Sequence, residues 1–452
     1  MSALKIFLLE TLPERAFEFR LIIGSRFNNL LALLRVRVRA AGMLIGPANS
    51  ANQASAWARS LNSQSLRISA DPSREWFTSD FEVTTQQRND LDFRIKLLHE
   101  VFLPKKIILL ESLRPIFAFR KGRQGFAPRH SVDDAVLLQR MGKRIGVIFH
   151  GSDIRDPLAH AKRNPYSPFR QIDDQSHSLD SNSHLPSDSP SHSQIKLRPE
   201  AEELFKSSQV NRELLPRLRK RKIPLFITTP DLYLEVPDAR WIPAVIEFGR
   251  FEEVAKSHPI FSGDKLRVLY LPSRSWIKSS EVIHPILEKL SAEGVIEYRN
   301  WLENGPVTHD QIPAIIASAD VVIDQLIGLF GVFALEAIAA GRVVMTYIDP
   351  EHEGHPTPPH ININPDTLES EIRRVAKDRE ASSIRAQKLT IVDGTPKLEF
   401  HEVPVAKALT MGAEFVRHYH DGDYSSKVFQ TVFGLKNLNS QSANGIKSRR
   451  LK

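Results

Sequence analysis

Short apolar runs alternate with longer amphipathic segments from about residue 42 to residue 375. "GMLIGPA" precedes the helical "NQASAWARSL", and "KKIILLES" precedes "SVDDAVLLQRM". "KRIGVIFHGSD", "IPLFITTPDL" and "ARWIPAVIE" continue the series. After a linker expected around Phe248–Gly263, the pattern restarts with "LRVLYLPS", "EVIHPILEKLSAEG" and "VIEYRNW". It then runs through "IPAIIASA", "DVVIDQL", "FALEAIAAG", "RVVMTYI" and "DTLESEIRRVAKD". Runs that are apolar at every position suit strands buried on both faces, and their alternation with helices predicts parallel sheets. Two such series predict an α/β chain of two Rossmann-like, doubly wound domains facing a cleft. The expected limits are a basic helical extension over 1–40, a first domain over 41–247 and a second over 248–400.

Two stretches break the pattern. Residues 173–194 are rich in Ser, Asp and Pro and too poor in apolar side chains to order themselves. Their three histidines, His177, His184 and His192, have the spacing of no regular element, so no metal site is expected there. From about residue 425 the chain loses periodicity, and a flexible basic tail is expected over 425–452.

Composition narrows the function classes. The 452 residues include no cysteine, which excludes disulfides, thiolate metal sites and thiol catalysis and fits a reducing cytoplasm. The net charge is +8, but no stretch interleaves aromatics with basic residues as nucleic-acid stacking modules do, so no nucleic acid is expected as partner. No secretory signal or membrane span is apparent. Residues 17–38 place four arginines, Arg20, Arg26, Arg35 and Arg37, among large apolar side chains, and Arg39 follows. This segment reads either as a peripheral helix on an anionic inner-membrane face or as a helix packed on the first domain.

In open α/β sheets, ligands bind beyond the carboxyl ends of strands, where helix N-termini present free amides. At the first such end, Gly46 makes a tight exit, and Asn49 and Ser50 are N-cap types that suit a phosphate or hydroxyl contact or a plain cap. The glycine fingerprint of a dinucleotide fold is missing. A later end, "IFHGSDIRDP", sets His150, Asp153 and Arg155 after a buried run. The imidazole there can exchange hydrogen bonds with a sugar hydroxyl or phosphate, with Asp153 orienting it; a capped turn is the other reading. In "SRSWIKSS", Arg274 and Lys278 are spaced to converge on one anion, or else form an exposed basic loop. In "DQLIGLFGVFALEAIAAGRVV", Asp324 and Gln325 end a strand, and Gly328 and Gly331 let the backbone approach a ligand. The amides from Gly331 and Val332 to Ala334 point at that ligand, and Glu336 is placed to accept from ribose hydroxyls.

With these residues together, the chain resembles the glycosyltransferases of the GT-B architecture, most closely their large retaining family of bacterial glycan and lipid-sugar transferases. The resemblance covers most of residues 42–424 and is strongest over Leu266–Ile348. "GLFGVFALEAIAAGRVV" is similar to the family's donor-nucleotide motif E-x(7)-E, "PSRSWIK" to its basic pair, and "FHGSD" to its acceptor-side histidine loop. "HDGDYSSKVF" looks like the end of a C-terminal helix, placed over 401–424, that crosses back to the first domain. The resemblance implies a nucleotide-sugar co-substrate with no other cofactor, no metal, and a glycan, lipid-linked or small-molecule hydroxyl acceptor. It assigns the diphosphate to Arg274, Lys278, Gly331 and Val332, and the ribose to Glu336. The catalytic pair would be His150 and Asp153, with Gly46, Asn49 and Ser50 lining the first domain's loop. Two positions depart from the pattern. Gly328 stands where the first Glu belongs, and Ser279 where a glycine commonly follows the lysine. Sugar handling would then pass to Asp324 and Gln325 beside Gly328. Gly328 in place of that Glu also suits a degenerate relative that binds a nucleotide or glycan without transfer.

Overall fold

The computed structural model describes residues 42–70, 78–117, 119–122, 125–128, 131–171, 195–304, 307–349, 355–392 and 395–435. The basic segment 17–39, the stretch 173–194 and the residues after 435 lie outside them. The described residues divide into two units. The first takes the chain up to Ile154, Asn211–Val245 and the residues from Gly422; the second takes Arg155–Val210 and Ile246–Asp421.

In the first unit, β1 (Met43–Gly46), β2 (Gln64–Ser69), β3 (Phe81–Thr84) and β4 (Ile107–Glu111) are followed by an antiparallel hairpin of β5 (Phe119–Gly122) and β6 (Gly125–Pro128). Then come β7 (Arg144–Phe149), β8 (Leu225–Ile227) and β9 (Arg240–Trp241). Apart from the hairpin, these strands form one sheet in the order β3-β2-β1-β4-β7-β8-β9, with every pairing parallel.

The second unit has β10 (Leu266–Tyr270), β11 (Ile296–Tyr298), β12 (Val321–Ile323), β13 (Val343–Thr346) and β14 (Ile361–Asn362), in the parallel order β11-β10-β12-β13-β14. Side chains alternate between its two faces. Val268, Tyr270, Val321, Ile323, Val343 and Met345 enter one core, and Leu269, Val322 and Val344 enter the other. Both faces are covered, which is why these strands read as unbroken apolar runs. Both sheets are therefore Rossmann-like and doubly wound.

Chain order reverses once in each sheet, between β1 and β4 and between β10 and β12. At such a switch point the flanking loops part and leave a crevice at the carboxyl ends of the strands.

Several sequence-based expectations change. The linker expected at Phe248–Gly263 contains a helix, Phe248–Ala255, whose Phe251 is buried among Ile246, Ile315 and Ile316. Phe248, Phe251 and Ala255 keep helical spacing, so the apolar stripe was present in the sequence. The tail expected to be flexible from residue 425 begins with a helix, Asp423–Phe433. Its Phe429 and Phe433 pack with Trp57 and Phe226 in the first unit's core, and left-handed Gly422 and Gly434 bound it at both ends. Val405–Tyr419 is a helix of the second unit. It follows an antiparallel hairpin, β15 (Ser383–Val392) with β16 (Thr395–Pro404), which the sequence-based series lacks. The two units also divide the chain otherwise than the expected cut at 247, because Arg155–Val210 goes with the second.

Candidate functional site

The second unit's switch point is built from two loops. The loop after β10 runs through Arg274 and Lys278 into the helix Ser280–Ala292, with the Lys278 amide donating to the Arg274 carbonyl at 3.1 Å. Tyr270 fastens this loop, its hydroxyl donating to the Lys278 carbonyl at 2.9 Å and lying 2.8 Å from Ser280 Oγ. Burial pushes the Tyr270 phenol up, so it stays protonated. Lys278 Nζ donates to Asp324 Oδ1 at 2.7 Å, and the Asp324 side chain is fully buried at the end of β12. Arg274 is exposed.

Ser279 takes the left-handed conformation (φ +61°) at the cap of that helix, and its Oγ is buried without a hydrogen-bond partner among the described residues. A glycine meets neither cost, so Ser279→Gly is expected to raise stability by about 1 kcal/mol in urea unfolding. No gain, or a loss, would mean that the hydroxyl has a partner.

The second loop leads into the helix Val332–Ala339. Its Gly331 amide donates to Asp324 Oδ2, so one carboxylate joins the lysine to the helix N-terminus. A Cβ at Gly331 would stand 3.1 Å from Asp324 Oδ2 and 3.2 Å from Lys278 Nζ, close enough that either side chain would have to give by a few tenths of an ångström. The first amides of the helix have no intrahelical acceptor and carry the positive end of its dipole. Val332 and Phe333 are partly exposed there.

Glu336 has no charged neighbour in sequence, yet the fold supplies two. His309 Nε2 is 3.8 Å from Glu336 Oε1, and Arg250 lies 3.1 Å from His309 Nδ1. Burial raises the Glu336 pKa, the Asp324 charge adds to that, and His309 and Arg250 oppose it. This places Glu336 and Asp324 in one electrostatic neighbourhood. His309 was missed in the sequence because it sits in a short turn far from any strand-end motif.

Gln325 is turned inward. Its Nε2 donates to the Leu329 carbonyl at 2.6 Å, and its backbone carbonyl accepts from Tyr347 N and Thr346 Oγ1. Both Asp324 oxygens and the Gln325 Nε2 thus make internal bonds. Gly328 has φ +104°, and a Cβ there would lie 3.2 Å from Asp349 Cβ and 3.5 Å from Asn164 Nδ2. Asp349 therefore packs against the Gly328 backbone. The loop is also covered by the helix Pro157–Arg163 and the residues after it. His160 Nε2 is 2.7 Å from the Ile327 carbonyl, and Ile327 packs with Ala161 and Phe169.

At the first unit's switch point, Glu111 ends β4 with its side chain fully buried. It accepts from the amides of Ala48 (2.9 Å) and Asn49 (2.8 Å) beyond β1, while Oε1 is 2.9 Å from His150 Nε2 beyond β7. The His150 ring stacks on Trp57 with centroids 5.9 Å apart. Asp153 binds the backbone of the same loop, accepting from the His150 amide at 3.0 Å and the Gly151 amide at 2.7 Å. It caps a turn; the residue that orients the imidazole is Glu111. Its signal was visible as a carboxylate closing the apolar run "KKIILLE". Asn49 is buried and bonded to Ser55 and Ser79, and Ser50 begins a short turn before the helix Gln53–Ser60. At Gly46 a Cβ would run into the Leu66 backbone.

Burial disfavours the His150 imidazolium, but the Glu111 hydrogen bond and the Glu111 and Asp153 charges outweigh it and raise the pKa, against a smaller opposing effect of Arg114. A folded-state pKa above the unfolded one stabilises most below the unfolded value and is lost as pH rises through the folded one. The stability lost in His150→Gln is therefore expected to be largest below about pH 6 and to shrink at alkaline pH. A difference independent of pH in urea unfolding would contradict the pairing.

No protein family and no curated protein sequence matches the chain. Among solved structures it is similar to Anabaena HepE in complex with UDP, at 10% identity over 87% of this chain and 100% of that one, with a TM-score of 0.47. It is similar to OtsA in its apo form, at 11% identity over 89% and 100%, with a TM-score of 0.42. It is also similar to the spinosyn rhamnosyltransferase SpnG complexed with thymidine diphosphate, at 9% identity over 87% and 100%, with a TM-score of 0.37. At these scores the likenesses carry no argument about function.

Proposed function

We propose that the chain is a glycosyltransferase that moves a sugar from a nucleoside-diphosphate donor, held by the second unit, to a hydroxyl acceptor handled by the first. The supporting observation is the meeting of Lys278 Nζ and the Gly331 amide on one carboxylate at a switch point. An ammonium and a helix N-terminus aimed at a single oxyanion are the parts that stabilise a leaving diphosphate as the glycosidic bond breaks. Asp324 holds Lys278 in place, and the remaining Lys278 N–H groups and the amides of Val332 and Phe333 face the donor. Glu336 is the hydrogen-bond acceptor for the ribose. On the acceptor side, Glu111 engages His150 Nε2 and leaves the other ring nitrogen to exchange a hydrogen bond with the substrate.

Retention of configuration, metal independence and a glycan or lipid-linked acceptor complete the proposal and come from the resemblance in sequence. Peripheral contact of residues 17–39 with the inner membrane face, read from their basic and apolar pattern, would bring the enzyme to lipid-linked acceptors. Among the described residues no helix is long and apolar enough to cross a membrane.

A second reading has its own support. Gly328 stands where the resemblance expects a carboxylate, which suits a protein that binds a nucleotide or glycan without transfer. The test is release of nucleoside diphosphate from UDP-, GDP-, ADP- and TDP-sugars. The transferase releases one of them with turnover; the binding protein releases none at any enzyme concentration.

A further inference from the structure

A cavity of about 380 Å³ opens on the first unit next to the end of β1, lined by Ala48, Ser69, Thr85 and three arginines, Arg67, Arg88 and Arg114. Arg67 is almost fully buried and fixed by Glu82 at 2.9 Å. Arg88 is held by the Pro115 carbonyl at 3.1 Å, and Arg114 is exposed. The acids near these cations, Glu82 and Asp134, do not line the cavity, and Asp134 spends an oxygen on the Ile116 amide at 2.7 Å. Burial lowers the Arg88 pKa, the Asp134 charge opposes this, and the Arg114 charge adds a smaller lowering, which puts the Arg88 and Arg114 guanidinium groups in one electrostatic neighbourhood. Ser69 Oγ has no hydrogen-bond partner among the described residues. Guanidinium forks match the tetrahedral oxygens of phosphate, and the cavity lining brings three of them together with the Ser69 hydroxyl.

We propose that this cavity is an oxyanion site that takes a phosphate group carried by the acceptor. The acceptor part rests on the transferase reading; the phosphate site does not. Ala48 belongs to both the cavity and the Glu111 cluster, which sets the phosphate beside His150. The phosphate can belong to a soluble sugar phosphate or to a lipid-linked sugar.

The probe is inorganic phosphate, titrated calorimetrically into the full chain at ionic strength held constant with chloride. The background is Lys278→Ala/Asp324→Asn, which removes the second unit's anion point. Phosphate is expected to bind this background, and Arg114→Ser added to it is expected to weaken binding by roughly tenfold. Arg114 is exposed, so this variant keeps its fold, and its urea unfolding transition checks that. No binding to the background, or binding unchanged by Arg114→Ser, would overturn the site. Tighter binding of glucose 6-phosphate than of phosphate assigns a soluble acceptor. Cosedimentation with phosphatidic-acid vesicles, lost in Arg114→Ser, assigns a lipid-borne one. Phosphate binding that needs Arg114, in a protein that never releases nucleoside diphosphate, leaves the site standing and overturns the transferase. Release with an Arg114-independent phosphate response does the reverse.

Discussion

Lys278→Ala is expected to lower the stability of the chain by about 3 kcal/mol and to remove nucleotide binding by the second unit. Read from the sequence, Lys278 is a loop cation spaced to meet an anion together with Arg274. In the structure it neutralises Asp324, whose side chain is fully buried while that of Lys278 is only 14% exposed. Removing the ammonium leaves a buried carboxylate with the Gly331 amide as its remaining donor among these contacts. Breaking a buried pair from one side is costly because the surviving charge has lost its partner; replacing both members is much cheaper. The double variant Lys278→Ala/Asp324→Asn is therefore expected to regain most of the stability while binding stays lost. Urea unfolding and calorimetry on the same preparations separate the two effects. A single variant as stable as wild type would contradict the buried pair, and a double variant that binds would contradict the role of Lys278.

Glu111→Ala is expected to cost at least about 3 kcal/mol, because it strands two backbone amides and an imidazole together and opens a small cavity. Its partners come from two different strand ends, Ala48 and Asn49 beyond β1 and His150 beyond β7, so the carboxylate ties three loops of the switch point together. Glu111→Gln keeps an acceptor oxygen for the amides and is expected to cost less. Either change should drop the His150 pKa, since burial then acts without its main counterweight. Chemical-shift titration of His150 reads this directly. An unchanged imidazole pKa would mean that Glu111 does not hold the ring.

The repeated strand and helix pattern was legible because strands buried on both faces are apolar at every position, and "RVLY", "VVI" and "VVMT" all end up that way. The strand-end loops were legible for the same reason, and Lys278 and Gly331 do meet at one point. Their meeting carboxylate was assigned another task, because sequence shows which groups lie near a strand end and not which of them satisfy each other. Glu111, His309 and Asp349 went unread since each joins its partner across a long stretch of chain. The helices Phe248–Ala255 and Asp423–Phe433 were lost to a different cause. Short apolar stripes broken by Gly, Ser and Asp carry a weak period, and buried Phe251, Phe429 and Phe433 supply the stability through packing that no local propensity reports.

The most direct measurement is a thermal-shift screen of the purified chain with UDP, GDP, ADP and TDP, each with and without Lys278→Ala/Asp324→Asn. Saturation at a hundred times the dissociation constant adds about 2.7 kcal/mol to stability. The account predicts a shift with one of these nucleotides in the wild type and none in the double variant. A wild type that responds to none of them, or a shift that survives the double substitution, would contradict a donor site at Lys278 and Gly331.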